Sequence, residues 1–323
     1  MRTIPRLRIA HLPTPVEALP RLSAELGGPT LLVKRDDLTG LAFGGNKTRK
    51  LDYLFAEAQA NGARTIITSG ALQSNHCRQT AAASARLNFD CILVLSGVKP
   101  STATGNFLLD KLFDAEIVWS TVEERDHIQE LTFQNAWDAG KRPYLIPYGG
   151  SNTTGATAFV YAIQELLAQQ YQPDWIVFAS SSGGTQAGLV VGAKLFGFKG
   201  KVLGISVDKA ESELKQSVAS LATATTDALG EKANFLAQEI LVNDGYLGEG
   251  YGMMGRPEIE AIRLFACMEG LLLDPVYTGR AAAGLIDLIR KGYFKPEETV
   301  LFWHTGGTPA LFSDKYAHLV EHV

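Results

Sequence analysis

Gly44-Gly45-Asn46-Lys47-Thr48-Arg49-Lys50-Leu51 puts a lysine directly behind a glycine pair, at the start of a helical pattern. Upstream, Leu31 to Lys34 reads as a short strand. Downstream, Leu51, Leu54, Phe55 and Ala58 recur at helical spacing, so strand, glycine turn and helix follow in order. An amine in the first helical turn lies in the positive field of the helix dipole, which favours its neutral, nucleophilic form. A Schiff-base lysine needs that form. Alone, Gly-Gly-Asn-Lys is more common as a surface lysine in a glycine-rich turn, so the rest of the chain has to decide. A phosphate-binding P-loop is nearly spelled from Gly40 to Thr48, but Asn46 separates Gly45 from Lys47 and breaks it.

Working outward, strands and helices alternate. Thr65 to Thr68, Cys91 to Leu95, Glu116 to Trp119, Trp175 to Ala179, Val202 to Val207 and Val300 to His304 read as strands. Helical stretches lie between them at Ala81–Arg86, Gly105–Leu112, Arg125–Asp138, Phe159–Gln169, Leu189–Phe196, Ala210–Glu239, Pro257–Met268 and Ala281–Lys291. This alternation predicts an α/β fold with parallel sheets and flanking helices. Tyr148-Gly149-Gly150-Ser151-Asn152 is rich enough in turn residues to mark a lobe boundary. The charges of Arg35-Asp36-Asp37 fit a solvated loop and a domain-junction network equally well.

Two turns stand out. Gln73-Ser74-Asn75-His76 precedes a helix that Ser74 or Asn75 would cap, and a helix start offers free N–H groups to a carboxylate or phosphate. Ser180-Ser181-Ser182-Gly183-Gly184-Thr185, between a strand and an apolar helix, has the geometry of a phosphate cradle. Gly250-Tyr251-Gly252-Met253-Met254-Gly255 formally matches the dinucleotide fingerprint, with Asp274 at about the ribose distance. The nearest predicted strand, Glu239–Val242, is too far from the glycines, which argues against a nicotinamide-dependent dehydrogenase. Leu271–Leu273 and the last strand both carry hydroxyls at their carboxyl ends, where α/β sheets bind ligands.

The 46% hydrophobic and 20% charged residues are those of a soluble globular protein, and a net charge of -4 argues against nucleic acid or an anionic membrane as partner. Cys77, Cys91 and Cys267 are odd in number and widely spaced, so neither a disulfide framework nor a metal site is expected. With no apolar leader or membrane-length run, the expectation is a cytoplasmic protein acting on a small molecule.

Together these stretches resemble the pyridoxal-phosphate enzymes of the tryptophan-synthase-β fold type (fold type II), in particular the group of D-cysteine desulfhydrase, 1-aminocyclopropane-1-carboxylate (ACC) deaminase and L-cysteate sulfo-lyase. The resemblance covers nearly the whole chain. It rests on Gly-Gly-Asn-Lys47-Thr-Arg-Lys50, Gln73-Ser74-Asn75-His76, Ser182-Gly183-Gly184-Thr185, Leu273-Asp274-Pro275-Val276-Tyr277-Thr278-Gly279 and His304-Thr305-Gly306-Gly307. It implies that Lys47 holds pyridoxal 5'-phosphate, that Asn75 bonds its 3-oxygen, and that Ser182, Gly183, Gly184 and Thr185 cradle the phosphate with help from Lys50. Ser74 and its helix start would meet the substrate carboxylate, Gln73, Ser74 and Asn75 would line a short polar pocket, and Tyr277 and Tyr251 would face the substrate. A large lobe of residues 1–46 and 159–323, a small inserted lobe of 47–158 and a homodimer are also implied.

One departure bears on the reaction. ACC deaminases carry glutamate after the tyrosine, where it keeps the pyridine nitrogen protonated; this chain has Thr278, with Thr305 the nearest match for a pyridine partner. A hydroxyl cannot hold that proton, so the ring should be a weaker electron sink, sufficient for a good leaving group. The expectation is therefore β-elimination, with D-cysteine the first substrate, L-cysteate the second and ring opening of ACC third. A sulfonate would need a fixed cation, and His76, Arg78 and Arg280 are the candidates.

Overall fold

Apolar β-branched runs separated by amphipathic stretches leave this chain few ways to cover its hydrophobic surface, and the computed structural model, which describes residues 1–318, stacks helices on both faces of two sheets. In chain order the elements are β1 (Val16–Ala18), α1 (Pro20–Leu26), β2 (Thr30–Arg35), α2 (Asn46–Ala60), β3 (Thr65–Ala71), α3 (Asn75–Leu87), β4 (Asp90–Ser96), α4 (Gly105–Leu112), β5 (Glu116–Ser120) and α5 (Arg125–Asp138). Then follow β6 (Pro143–Leu145), α6 (Thr153–Ala168), β7 (Trp175–Ser180), α7 (Gly184–Phe196), β8 (Lys201–Ser206), α8 (Glu211–Ala228), β9 (Leu241–Asn243), α9 (Arg256–Glu269), α10 (Thr278–Arg290) and β10 (Thr299–His304).

The larger sheet has the order β1-β2-β10-β7-β8-β9 and is parallel except for β1, which runs antiparallel to β2. Pairing of β2 with β10 joins the two ends of the chain in one sheet. The smaller sheet, β5-β4-β3-β6, is wholly parallel. Its strands all fall between residues 65 and 145, inside the expected small lobe; the expected boundaries at 46/47 and 158/159 each fall within a helix, α2 and α6. Along β10 the side chains alternate: Val300 and Phe302 pack with Ile262, Phe265 and Leu285 of α9 and α10, while Leu301 and Trp303 pack with Phe159 and Leu189 of α6 and α7. Both faces are covered, which is why the strand reads as continuously apolar.

Several boundaries differ from the sequence reading, each for a local reason. Helix α6 begins six residues before Phe159, because the Asn152 side chain accepts from the Gly155 N–H at 2.8 Å and starts a helix through Thr153, Thr154 and Gly155, which are poor helix formers. Helix α8 stops at Ala228 instead of running to Glu239, and Gly230 with φ 74° turns the chain away. Leu271–Leu273 is not a strand: the Leu272 carbonyl is taken by His304 Nε2 and Thr308 Oγ1, both at 3.2 Å. The proline-rich lead-in supplies β1 and α1, which are too short to show a period.

Candidate active site

The turns that follow β10, β7 and β3 converge on one pocket, and Lys47 lies at its wall in the first turn of α2. Gly44 and Gly45 place it there with φ of 63° and 128°; a Cβ on Gly44 would lie 1.9 Å from the Asp37 carbonyl oxygen. The Asn46 N–H donates to the Thr305 carbonyl at 3.0 Å and its Nδ2 to Thr185 Oγ1 at 3.1 Å, which ties the start of α2 to the end of β10 and the start of α7. Burial pulls the Lys47 ammonium down to about 8, in the same direction as the helix dipole.

Opposite Lys47, β7 runs into Ser181, Ser182 and Gly183, whose left-handed φ of 79° opens α7. Ser182 Oγ lies 2.7 Å from Ser151 Oγ, and the Gly184 N–H donates to Ser151 Oγ at 3.2 Å. Lys50, only 1% exposed, donates from Nζ to the Gly149 carbonyl at 3.0 Å and to Ser151 Oγ at 3.2 Å. Burial and the neighbouring Lys47 charge hold its ammonium well below its ordinary value. A buried cation with only neutral acceptors, beside hydroxyls and the first N–H groups of a helix, is a site built for an anion. Sequence reading placed Ser182 to Thr185 and Lys50 here but missed Gly149 and Ser151, whose turn composition signalled only a boundary.

Ser74 caps α3, accepting from the Cys77 N–H at 3.2 Å, and Asn75 follows it into the pocket. Asn75 Oδ1 accepts from Asn106 Nδ2 at 2.9 Å, so the Asn75 amide nitrogen is turned the other way; a Cβ on Gly307 would lie 2.5 Å from it. Gln73 does not line the Lys47 pocket. Its amide accepts from the Asn106 N–H at 2.7 Å and donates to the Thr104 carbonyl at 3.0 Å, and it borders an adjoining cavity with Tyr251. The two cavities meet at a pair of phenols: Tyr277 lines the pocket, and its hydroxyl is 2.6 Å from that of Tyr251. Tyr148, which sequence reading did not single out, lines the same pocket beside this pair. Burial pushes the Tyr251 and Tyr277 phenols well up, so both keep their protons.

Thr305 lines the pocket, whereas Thr278 does not. The Thr278 hydroxyl donates to Asp274 Oδ1 at 2.8 Å and accepts from the Asp274 N–H at 2.6 Å, leaving no proton to donate to a ligand. The candidate sulfonate cations are likewise committed. Arg78 donates to Asn106 Oδ1 and the Gly44 carbonyl; Arg280 donates to Glu258 and to the carbonyls of Val207, Gly250 and Met253. Thr68 gives its proton to the Ile146 carbonyl, so His76 Nε2 must donate to Thr68, and burial beside Lys47 and Lys50 keeps that imidazole neutral. The Gly250–Gly255 turn is no dinucleotide site: the Glu258 carboxylate accepts from the Gly255 N–H at 2.9 Å and occupies the start of α9 itself. No group of histidine, cysteine or acidic residues among the described residues is arranged for a metal, and none of their helices is long and apolar enough to cross a membrane.

The family model described as pyridoxal-phosphate dependent enzyme matches residues 7–306. The chain is 41% identical over 319 residues to the D-cysteine desulfhydrase of Klebsiella pneumoniae (strain 342), with 96% of each sequence covered. It superposes on the crystal structure of an ACC deaminase homologue with a TM-score of 0.88 at 37% identity, covering 96% of this chain and 94% of that one. A fungal L-serine ammonia-lyase from Rhizomucor miehei, at 18% identity and a TM-score of 0.68 over 97% and 98% of the two chains, shares the fold.

Proposed function

This chain belongs to the pyridoxal-phosphate dependent enzyme family, and from that premise we propose that it eliminates the β-substituent of a three-carbon, sulfur-bearing amino acid, converting D-cysteine and water to pyruvate, ammonia and hydrogen sulfide. The residues fit the cofactor: the Lys50 ammonium, Ser151, Ser182 and the first N–H groups of α7 suit its phosphate, Lys47 its carbonyl carbon, and the Asn75 amide nitrogen its ring oxygen. When bound, the cofactor supplies an electron sink for the pair left at the substrate Cα.

In this reading Ser74 and the free N–H groups of α3 hold the substrate carboxylate. The Lys47 amine, which burial lowers to about 8 so that roughly a tenth of it is neutral at pH 7, far more than for an ordinary lysine, takes the Cα proton. Tyr277, protonated and bonded to Tyr251, gives a proton to the departing sulfur. The observation that carries D-cysteine above its alternatives is the pocket's charge. Thr305 offers a hydroxyl where ring opening of ACC calls for a carboxylate, and Arg78, Arg280 and His76 are committed or neutral, which leaves an L-cysteate sulfonate without a cation among them.

Pyruvate release from D-cysteine, L-cysteine, L-cysteate, D-serine and ACC at matched concentrations tests this. The highest kcat/KM should belong to D-cysteine; ACC as the best substrate would overturn the argument from Thr278 and Thr305, and L-cysteate would overturn the argument from charge. We also propose that the enzyme works in the cytoplasm as a homodimer, which light scattering of the purified protein would test.

A further inference from the structure

We propose that Asn106 is a positioning residue that sets which face of the Asn75 amide meets the cofactor; this rests on the reading of Asn75 as the partner of the cofactor ring oxygen. An asparagine side chain presents a donor or an acceptor depending on a half-turn of its amide, and the ring oxygen, which carries negative charge, needs the donor. Nothing in Asn75 itself fixes that choice.

The neighbours do. Asn106, fully buried at the start of α4, donates from Nδ2 to Asn75 Oδ1 at 2.9 Å and to the Gln73 carbonyl at 2.8 Å. Its own amide is locked because Oδ1 accepts from Arg78 Nη1 at 3.0 Å, and a guanidinium can only donate. Arg78 is buried and held in turn by the Gly44 carbonyl at 2.8 Å, one residue from the glycine that opens α2. Donor direction is therefore imposed in sequence, from Arg78 through Asn106 to Asn75, and the Asn75 N–H groups are left for the pocket. The same chain accounts for Gln73, whose side chain and carbonyl both hold Asn106 in place.

Asn106→Asp tests the proposal with little change of shape. The carboxylate keeps the contact with Arg78 but has no N–H for Asn75, so Asn75 turns its nitrogen toward the new carboxylate and its oxygen toward the cofactor. In the holoenzyme the pH midpoint of the cofactor's visible absorption band should rise by about 1 unit, because a charge-assisted hydrogen bond to the ionised ring oxygen is lost. Affinity for pyridoxal phosphate, measured by fluorescence titration of the apoprotein, should fall about tenfold, while Asn75→Ala moves the midpoint the same way. A midpoint unchanged in Asn106→Asp but raised in Asn75→Ala overturns the proposal and leaves the reading of Asn75 intact. A midpoint unchanged in both overturns the two together. Asn106→Ser, which cannot occupy both amide positions, serves where Asn106→Asp does not fold, with the same expected direction.

Discussion

Helix α2 carries two kinds of cation within one turn, Arg49 and Lys50 buried and Lys47 half-buried at the pocket wall. Arg49 bonds Asp36 Oδ2 from Nε at 2.9 Å and Glu165 Oε2 from Nη1 at 2.9 Å; Glu165 also takes Lys34 Nζ at 2.6 Å, and Thr14 closes the network. Lys47 and Lys50 have no such carboxylate partner among the described residues. The pKa directions follow the pairing. Arg49 is held above its ordinary value by Asp36 and Glu165, and its partner Glu165 drops to about 2, while Lys47 and Lys50 fall through desolvation. The paired Arg49 ties α2 to Asp36 and to Glu165 of α6, whereas Lys47 and Lys50 are left to the pocket.

The contrast can be broken from either side. Lys47→Ala should reduce turnover by about 10³-fold or more while the far-ultraviolet circular dichroism stays native, because the nucleophile is lost and no paired network is disturbed. Arg49→Ala should do the reverse in kind, costing about 3–5 kcal/mol of stability by denaturant titration, since Asp36 and Glu165 are left buried with one partner fewer. A stable Arg49→Ala protein with damaged catalysis alone would erase the distinction.

Smaller effects sharpen it. Tyr277→Phe should lower kcat about 10²-fold with cofactor affinity unchanged, as expected for a group that moves a proton and holds nothing. Lys50→Met should weaken pyridoxal phosphate binding about tenfold, and added inorganic phosphate should compete less well for the variant apoprotein than for the parent. The pH dependence of cofactor capture separates Lys47 from an ordinary lysine. Its amine must be neutral to react, so the rate should climb as pH rises through about 8 and then level, whereas an unperturbed lysine would keep climbing to about 10.5.

How much of this was legible in the sequence depended on whether a feature is local. The turns that build the candidate site have local signatures, such as the Gly44-Gly45 pair before Lys47 and the Ser182-Gly183-Gly184 turn after β7, and Lys47, Ser182 and Gly183 border one pocket. The role of Arg35-Asp36 stayed open because its answer is long-range: Asp36 pairs with Arg49 thirteen residues away, and Arg49 with Glu165 on α6. Gln73 and Thr278 sit in pocket-like motifs, but their partners, Asn106 and Asp274, turn them to structural work. Ser151 and Tyr148 carried no signal beyond turn composition, since the Ser151–Ser182 contact and the pocket that Tyr148 shares with Tyr277 exist only once the chain is folded.

Borohydride reduction of the holoenzyme followed by peptide mass spectrometry compares all the lysines at once. The account predicts a single cofactor adduct on Lys47, with Lys50 three residues on and the paired Lys34 both unmodified. An adduct on Lys50, or on any lysine outside α2, would contradict it.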